Sequence, residues 1–144
     1  MPLVTRNHPK LTLEGARAVL AAAEHRAEEI QVPMNIAVVD DGAHLLAFAR
    51  MDGAKPASVA ISLVKARAAA LRRAPTGPAI SGDHVNLPVA LGLAVAASAH
   101  QTPIRGGIPL LVDGQVIGAI GVSAGTEDQD FDVARAGAAA IEKT

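Results

Sequence analysis

Two sets of residues in this chain have types and positions suited to chemistry. Lys65, Asp52 and His84 are candidates for moving protons, provided burial brings their pKa values toward neutrality. Arg50, Arg105 and the Gly106-Gly107 amides suit an anionic ligand or oxyanion, because guanidinium forks and backbone N–H groups both donate to negatively charged oxygen. Arg50 and Asp52 lie together at a strand end beside Gly53, an arrangement that fits either polar anchoring of a small anion or a structural ion pair. Ser58 shares a helix face with Ser62 and Lys65 at i, i+4 and i+7, which makes its hydroxyl a candidate ligand contact. His100, a few residues ahead of Gly106-Gly107, is a candidate ligand or acid–base group.

The five histidines are scattered, at 8, 25, 44, 84 and 100. None pairs with another at the spacing of a helical or strand metal site, so no metal centre is expected. His25 lies among glutamates and His44 flanks a turn, and both should be exposed. Ser62-Leu63-Val64-Lys65 matches the S-x-x-K of penicillin-recognising enzymes, but the companion motifs are missing. Lys65 either faces a cleft or snorkels to solvent from its helix.

Composition removes several classes of function. The net charge is −1, so no global field draws the chain to nucleic acid or to an anionic membrane. Phe48 and Phe131 are its only aromatic residues, which leaves no stacking platform for single strands. Without cysteine there is no disulfide, thiolate nucleophile or cysteine metal site. No apolar run reaches the length of a membrane span, and the first ten residues contain no leader-like segment, so a cytoplasmic protein is expected. The 144 residues suffice for one domain spanning 1–144.

The elements that position these residues follow from periodicity and punctuation. Thr12 should cap a helix whose buried face is Leu13, Ala16, Leu20, Ala23, Ala27 and Ile30, closed by Pro33. Met34–Asp40 and Leu45–Met51 form a hairpin around Asp41-Gly42. Both faces of its strands are apolar, which predicts helices on one side and another subunit or further structure on the other. A second helix from Pro56 to Arg73 should bury Ile61, Val64, Ala68 and Leu71 and turn Ser58, Ser62 and Lys65 elsewhere. Prolines and glycines make 74–88 a long loop, followed by a short apolar helix over 87–99 and a strand over 101–104. Asp113-Gly114 suits a type I′ hairpin turn. Thr126 and Gln129 form a capping box for the last helix, whose buried positions are Phe131, Ala134, Ala138 and Ile141. The glycines before Thr126 have the wrong spacing for a phosphate cradle, and the acidic first turn would oppose one.

Taken together, IAVVDDGAHLLAFARMDGA, the Ser58–Lys65 helix and GGIPLLVDGQVIGAIGVSAGTEDQD resemble the GlcG/HbpS family over Thr12 to Ile141. The resemblance implies a profilin-like α/β (α+β) fold, an antiparallel sheet of about five strands with helices packed on it, assembled into homo-oligomers. It also implies haem or a related tetrapyrrole as cofactor in some members, and in others a place in glycolate or aromatic catabolism, with one line hydrolytic. Two functions follow as expectations. One is an oligomeric small-molecule-binding protein, with His84 or His100 near a haem iron and Arg50, Lys65 or Arg105 on its carboxylates. The other is a small hydrolase or isomerase acting on an oxo- or hydroxy-acid through Lys65, Asp52 or His84, with Arg105, Gly106 and Gly107 polarising the substrate.

Overall fold

A computed structural model describes residues 1–142 of the chain. In chain order the elements are α1 (Leu13–Glu29), β1 (Asn35–Asp40), β2 (Leu45–Arg50), α2 (Ser58–Arg72), β3 (Ile80–Ser81), β4 (His84–Val85), α3 (Leu87–Ala96), β5 (Gly107–Val112), β6 (Gln115–Ser123) and α4 (Glu127–Glu142). The expected α/β architecture is present, with four strands in the main sheet in place of about five: β2-β1-β6-β5 make an antiparallel sheet, and β3-β4 a separate two-stranded hairpin.

Local chemistry starts and stops these elements where the sequence indicates. Thr12 Oγ1 accepts from Gly15 N at 3.0 Å at the start of α1. Thr126 N donates to Gln129 Oε1 at 2.9 Å while Gln129 N donates to Thr126 Oγ1 at 3.2 Å, the reciprocal pair of a capping box. Asp113 and Gly114 have φ of 50° and 74°, the left-handed pair that a type I′ turn requires. In the other hairpin, the left-handed residue is Ala43 (φ 70°) rather than Gly42. There Asp40 Oδ1 accepts from the amides of Gly42 and His44, both at 2.9 Å, and holds the turn.

The irregular lead-in is tied to this turn. Lys10 Nζ reaches both Asp41 carboxylate oxygens at 2.9 and 3.0 Å, and Arg73 Nη1 donates to the Asp41 carbonyl. The Lys10 hydrogen bonds hold the Asp41 carboxyl below its ordinary value of 3.8, against a smaller opposing effect of burial.

The sheet's two faces are built differently. Ile36 and Val38 of β1, with Ile120 and Val122 of β6, pack against α1 and α4 in a core of Val19, Val133 and Ile141 and many alanines. Ala37, Val39 and Ala119 face the other way, against Ala66, Ala69 and Ala70 of α2. The second apolar face is therefore covered by this chain's own α2, and not by another subunit, the reading that the doubly apolar strands favoured.

That helix buries Ala68 as its pattern suggests, but otherwise turns a different face inward. Ser58, Ser62, Lys65, Ala66 and Ala69 are buried, while Ile61 and Leu71 lie on the surface. The cause is distance. A Cβ on Gly121 would lie 2.1 Å from the Ser62 carbonyl oxygen, and one on Gly107 2.3 Å from that of Lys65. The α2 backbone rests directly on the strands, so only small side chains fit between them. Two further expectations are corrected. No strand forms over 101–104, because Thr102 Oγ1 turns the chain by accepting from Ile104 N and β6 takes β5, starting at Gly107, as its neighbour. The loop over 74–88 contains the β3–β4 hairpin, and α3 ends at Ala96 rather than Ala99.

Two predictions follow from this packing. Gly121→Ala should lower stability by about 3 kcal/mol or more, since backbone has to move to admit the methyl group. Gly77→Ala, with nothing within 4 Å of the added carbon, should be close to neutral in the same urea titration. Because Asp41's folded pKa is depressed, its stabilising contribution is complete above pH 3.8 and is lost as pH falls through the folded value. A carboxyl-carbon NMR titration should give a midpoint below 3.8, moving back up in Lys10→Ala.

Candidate functional site

Lys65 neither faces a cleft nor snorkels. Its side chain runs from α2 into the joint between β6 and α4, where Nζ donates to the Val122 carbonyl at 2.9 Å and to Asp130 Oδ2 at 2.8 Å. Side-chain exposure is 1% for Lys65 and 4% for Asp130. The other Asp130 oxygen accepts from Gly125 N at 2.9 Å, so the carboxylate clamps the loop before α4 as well. Gly106, at φ 126°, leaves the room this needs: a Cβ there would lie 3.0 Å from Lys65 Nζ and 2.6 Å from the Val122 carbonyl oxygen. Gly107 exchanges hydrogen bonds with Thr76, its N donating to Thr76 Oγ1 and its O accepting from Thr76 N, both at 2.9 Å. The Gly107 amide is thus already occupied. This cluster joins four segments, and its two charged side chains are closed off from solvent.

The other expected site residues are dispersed. Ser58 is buried at the foot of α2, its N–H bonded to the Lys55 carbonyl, which also accepts from Asn35 Nδ2 at 2.9 Å. Arg105 lies along α4, with Nη1 2.5 Å from Asp128 Oδ1, its backbone N donating to Glu127 Oε1, and its guanidinium 4.5 Å from the Phe131 ring centre. The acidic first turn of α4 therefore holds an arginine as well as complementing the helix dipole. Arg50 and Asp52 do come together, in a groove of about 380 Å³ between α1 and the end of β2. Glu24 and Glu28 line it too, and three carboxylates against one guanidinium make a poor seat for an anion. His84 stands on the β3–β4 hairpin, exposed and 3.1 Å from Asp83. Lys65, Asp52 and His84 share no cavity.

His100 has a different setting. Beyond α3 the consecutive residues Ser98 and Ala99 adopt φ of 45° and 65°, a strained turn for residues other than glycine. The turn places His100 Nδ1 3.0 Å from the Ser98 carbonyl and 3.3 Å from that of Ala97. Carbonyls only accept, so Nδ1 carries the proton and a neutral ring leaves the Nε2 lone pair free. His100 borders a groove of about 410 Å³ between the end of α2 and α3, walled by Leu71, Leu93, Ala96 and Ala97. Arg72 and Gln101 supply its polar rim. With the Gln101 amide turned to present its oxygen, Arg72 Nε and Nη1 donate to it at 3.1 Å. The groove's volume falls within the range of small-molecule sites, and its walls are mainly apolar, but the groove is shallow and open on one side. Among the described residues, no group of three or more His, Cys, Asp or Glu side chains is placed to hold a bare metal ion, and no helix is long and apolar enough to cross a membrane.

Comparison with known proteins agrees with the fold and the motifs. A family model described as "Haem degrading protein HbpS-like" matches residues 11–139. This chain belongs to the HbpS-like family. It is 41% identical to Protein GlcG of Escherichia coli (strain K12) over 113 residues, 78% of this chain and 81% of that protein. The crystal structure of Klebsiella pneumoniae protein ORFY superposes with a TM-score of 0.85 at 31% identity, covering 100% of this chain and 99% of that one. A structure described as a PduOC:heme complex superposes with a TM-score of 0.79 at 27% identity, over 92% of this chain and 96% of that one.

Asp130, Thr76, Arg72 and the α3 wall were not identified from sequence. Asp130 is one acid among several in a helix start, and nothing local ties it to a lysine 65 positions away. Removing Lys65 alone would leave Asp130 buried without its counter-charge. Lys65→Met should therefore cost about 3–5 kcal/mol in chemical denaturation, while Lys65→Met with Asp130→Leu should recover part of that loss.

Proposed function

We propose that this protein binds haem, or a closely related planar tetrapyrrole, in the groove between α2 and α3. The observation that carries the reading is His100: its Nδ1 is committed to main-chain carbonyls and its Nε2 is free beside an apolar wall. Imidazole with a bare nitrogen is a common axial ligand of haem iron. Leu71, Leu93, Ala96 and Ala97 offer aliphatic surface to a porphyrin face, and Arg72 offers a guanidinium to a propionate. These residues fit the group chemically: one nitrogen ligand, apolar walls, and a cation at the rim. Bound haem would supply a redox-active iron. The protein's own contribution is to hold the ligand, orient the His100 ring through the Ser98 carbonyl, and shield one face from water.

Support from outside the chain is the family description and the haem complex of the PduOC structure. An enzyme acting on an oxo- or hydroxy-acid has less support. Its proton-moving candidates are a lysine already paired with Asp130, an aspartate in an acidic groove, and a histidine on an exposed hairpin.

Titrating the protein with hemin should shift the Soret band from its free position. His100→Ala should remove that shift or weaken binding by at least about tenfold, and Arg72→Ala should weaken it by a smaller factor. His84→Ala should bind as wild type. A wild-type spectrum identical to free hemin would overturn the haem reading, and an unchanged His100→Ala spectrum would overturn the ligand assignment.

A further inference from the structure

Three Asp-Gly dipeptides occur in the chain, at 41–42, 52–53 and 113–114. Their shared chemistry is self-modification. The glycine nitrogen attacks the aspartate Cγ, and the new N–Cγ bond closes a five-membered succinimide. One carboxyl oxygen leaves as water, with the amide proton and the acid proton. Water then reopens the ring at either carbonyl. Opening at the main-chain carbonyl leaves the chain running through Cβ and Cγ, an isoaspartate of unchanged mass with a free α-carboxylate. Glycine favours the attack, because it has no Cβ to hinder the nitrogen or to restrict the backbone. The reacting atoms are the same at all three sites, so their surroundings decide which one reacts.

Asp41-Gly42 is held on several sides. The Gly42 amide already donates to Asp40 Oδ1 at 2.9 Å. Lys10 Nζ binds both Asp41 carboxylate oxygens, His8 Nε2 lies 3.4 Å from Oδ2, and Arg73 donates to the carbonyl. The Lys10 hydrogen bonds also keep this carboxyl ionised, and a carboxylate is a poorer electrophile than the acid. Asp52-Gly53 is hemmed in more loosely. Its turn closes through Ala54 N to the Met51 carbonyl at 3.0 Å, and Pro33 Cγ stands 3.5 Å from where a Gly53 Cβ would be.

Asp113-Gly114 lies open at the tip of the β5–β6 hairpin. Asp113, Gly114 and Gln115 are all exposed, and nothing stands within 4 Å of where a Gly114 Cβ would be. The strand register shifts between Leu110 and Leu111, which leaves two pairs, Leu111↔Val116 and Val112↔Gln115, between the irregularity and the turn. So short an exposed end opens at far lower free energy than the core, and opening frees the Gly114 nitrogen to reach Asp113 Cγ. We propose that Asp113-Gly114 is a site of spontaneous isoaspartate formation, and that the contacts around Asp41-Gly42 protect that turn from the same reaction. The product adds one main-chain atom to a two-residue turn, which the type I′ geometry does not accommodate. The damage stays at the tip, because β6 begins to pair with β1 only at Gly118.

The test is to age the wild type and Lys10→Ala near neutral pH for several weeks and digest them with Asp-N protease, which cuts before aspartate and not before isoaspartate. Mass spectrometry then counts the uncut peptides. Missed cleavage at Asp113 should accumulate at least about tenfold faster than at Asp41 in the wild type. An isoaspartate methyltransferase, which moves the methyl group of S-adenosylmethionine onto the new α-carboxylate, should label the aged wild type. Asp113→Glu, whose longer side chain cannot close the five-membered ring, should lose most of that label. Lys10→Ala should raise conversion at Asp41 and leave Asp113 as it was. No isoaspartate at Asp113, or conversion mainly at Asp52 or Asp41, overturns the site. Unchanged conversion at Asp41 in Lys10→Ala overturns the protection. Should that variant unfold, ageing the wild type in high salt screens the same ion pair and reads the same comparison.

Discussion

The seat of α2 on the bare backbone of β5 and β6 governs the rest of the structure. Gly107 and Gly121 remove the side chains that would otherwise separate helix from sheet, and the alanine and serine face of α2 fills the narrow gap. Close approach brings Lys65 over the end of β6, and its ammonium goes to the carboxylate of Asp130 on α4. Burying two charges costs several kcal/mol each, which their attraction and the hydrogen bonds to Val122 and Gly125 offset. The pair contributes specificity more than stability. A helix on a smooth paving of glycine and alanine could slide along it, and one ionic contact to a different element fixes where it stops.

How legible the chain was depended on the range of the interaction. Capping by Thr12 and by Thr126 with Gln129, and the Asp113-Gly114 turn, are contacts within a few residues, and they occur as the residue types require. The orientation of α2 was misread for a physical reason. Periodicity places the largest apolar residues inward, which holds when side chains fill the space between elements. Here the space is filled by backbone, so Ile61 and Leu71 are displaced outward and a lysine lies inside. The α2–α3 groove draws residues from 71 to 101 in two elements, with no motif to join them. Of the residues chosen for ligand chemistry, His100 alone lies there. Arg105, Gly106 and Gly107 turn out to be joinery, engaged by Asp128, Lys65 and Thr76.

Two kinds of surface result from one helix. Inward, α2 is bound by contacts that tolerate almost no change in volume. Outward, Leu71 and Arg72 meet a short apolar arm held by few contacts of its own, as the exposure of its leucines and valines reflects. The dense side supplies a rigid edge to the groove, and the sparse side supplies exposed aliphatic area. This division suits a protein with almost no aromatic residues, in which recognition has to be made from aliphatic surface and a few polar groups.

The close seat of α2 also has an evolutionary consequence. Because the helix is retained through its backbone and its smallest side chains, the residues on its far side carry none of the load of the core. Substitutions at 61 and 71 are screened from the sheet by the helix itself. The scaffold can therefore keep one interior while the outer face of α2 varies.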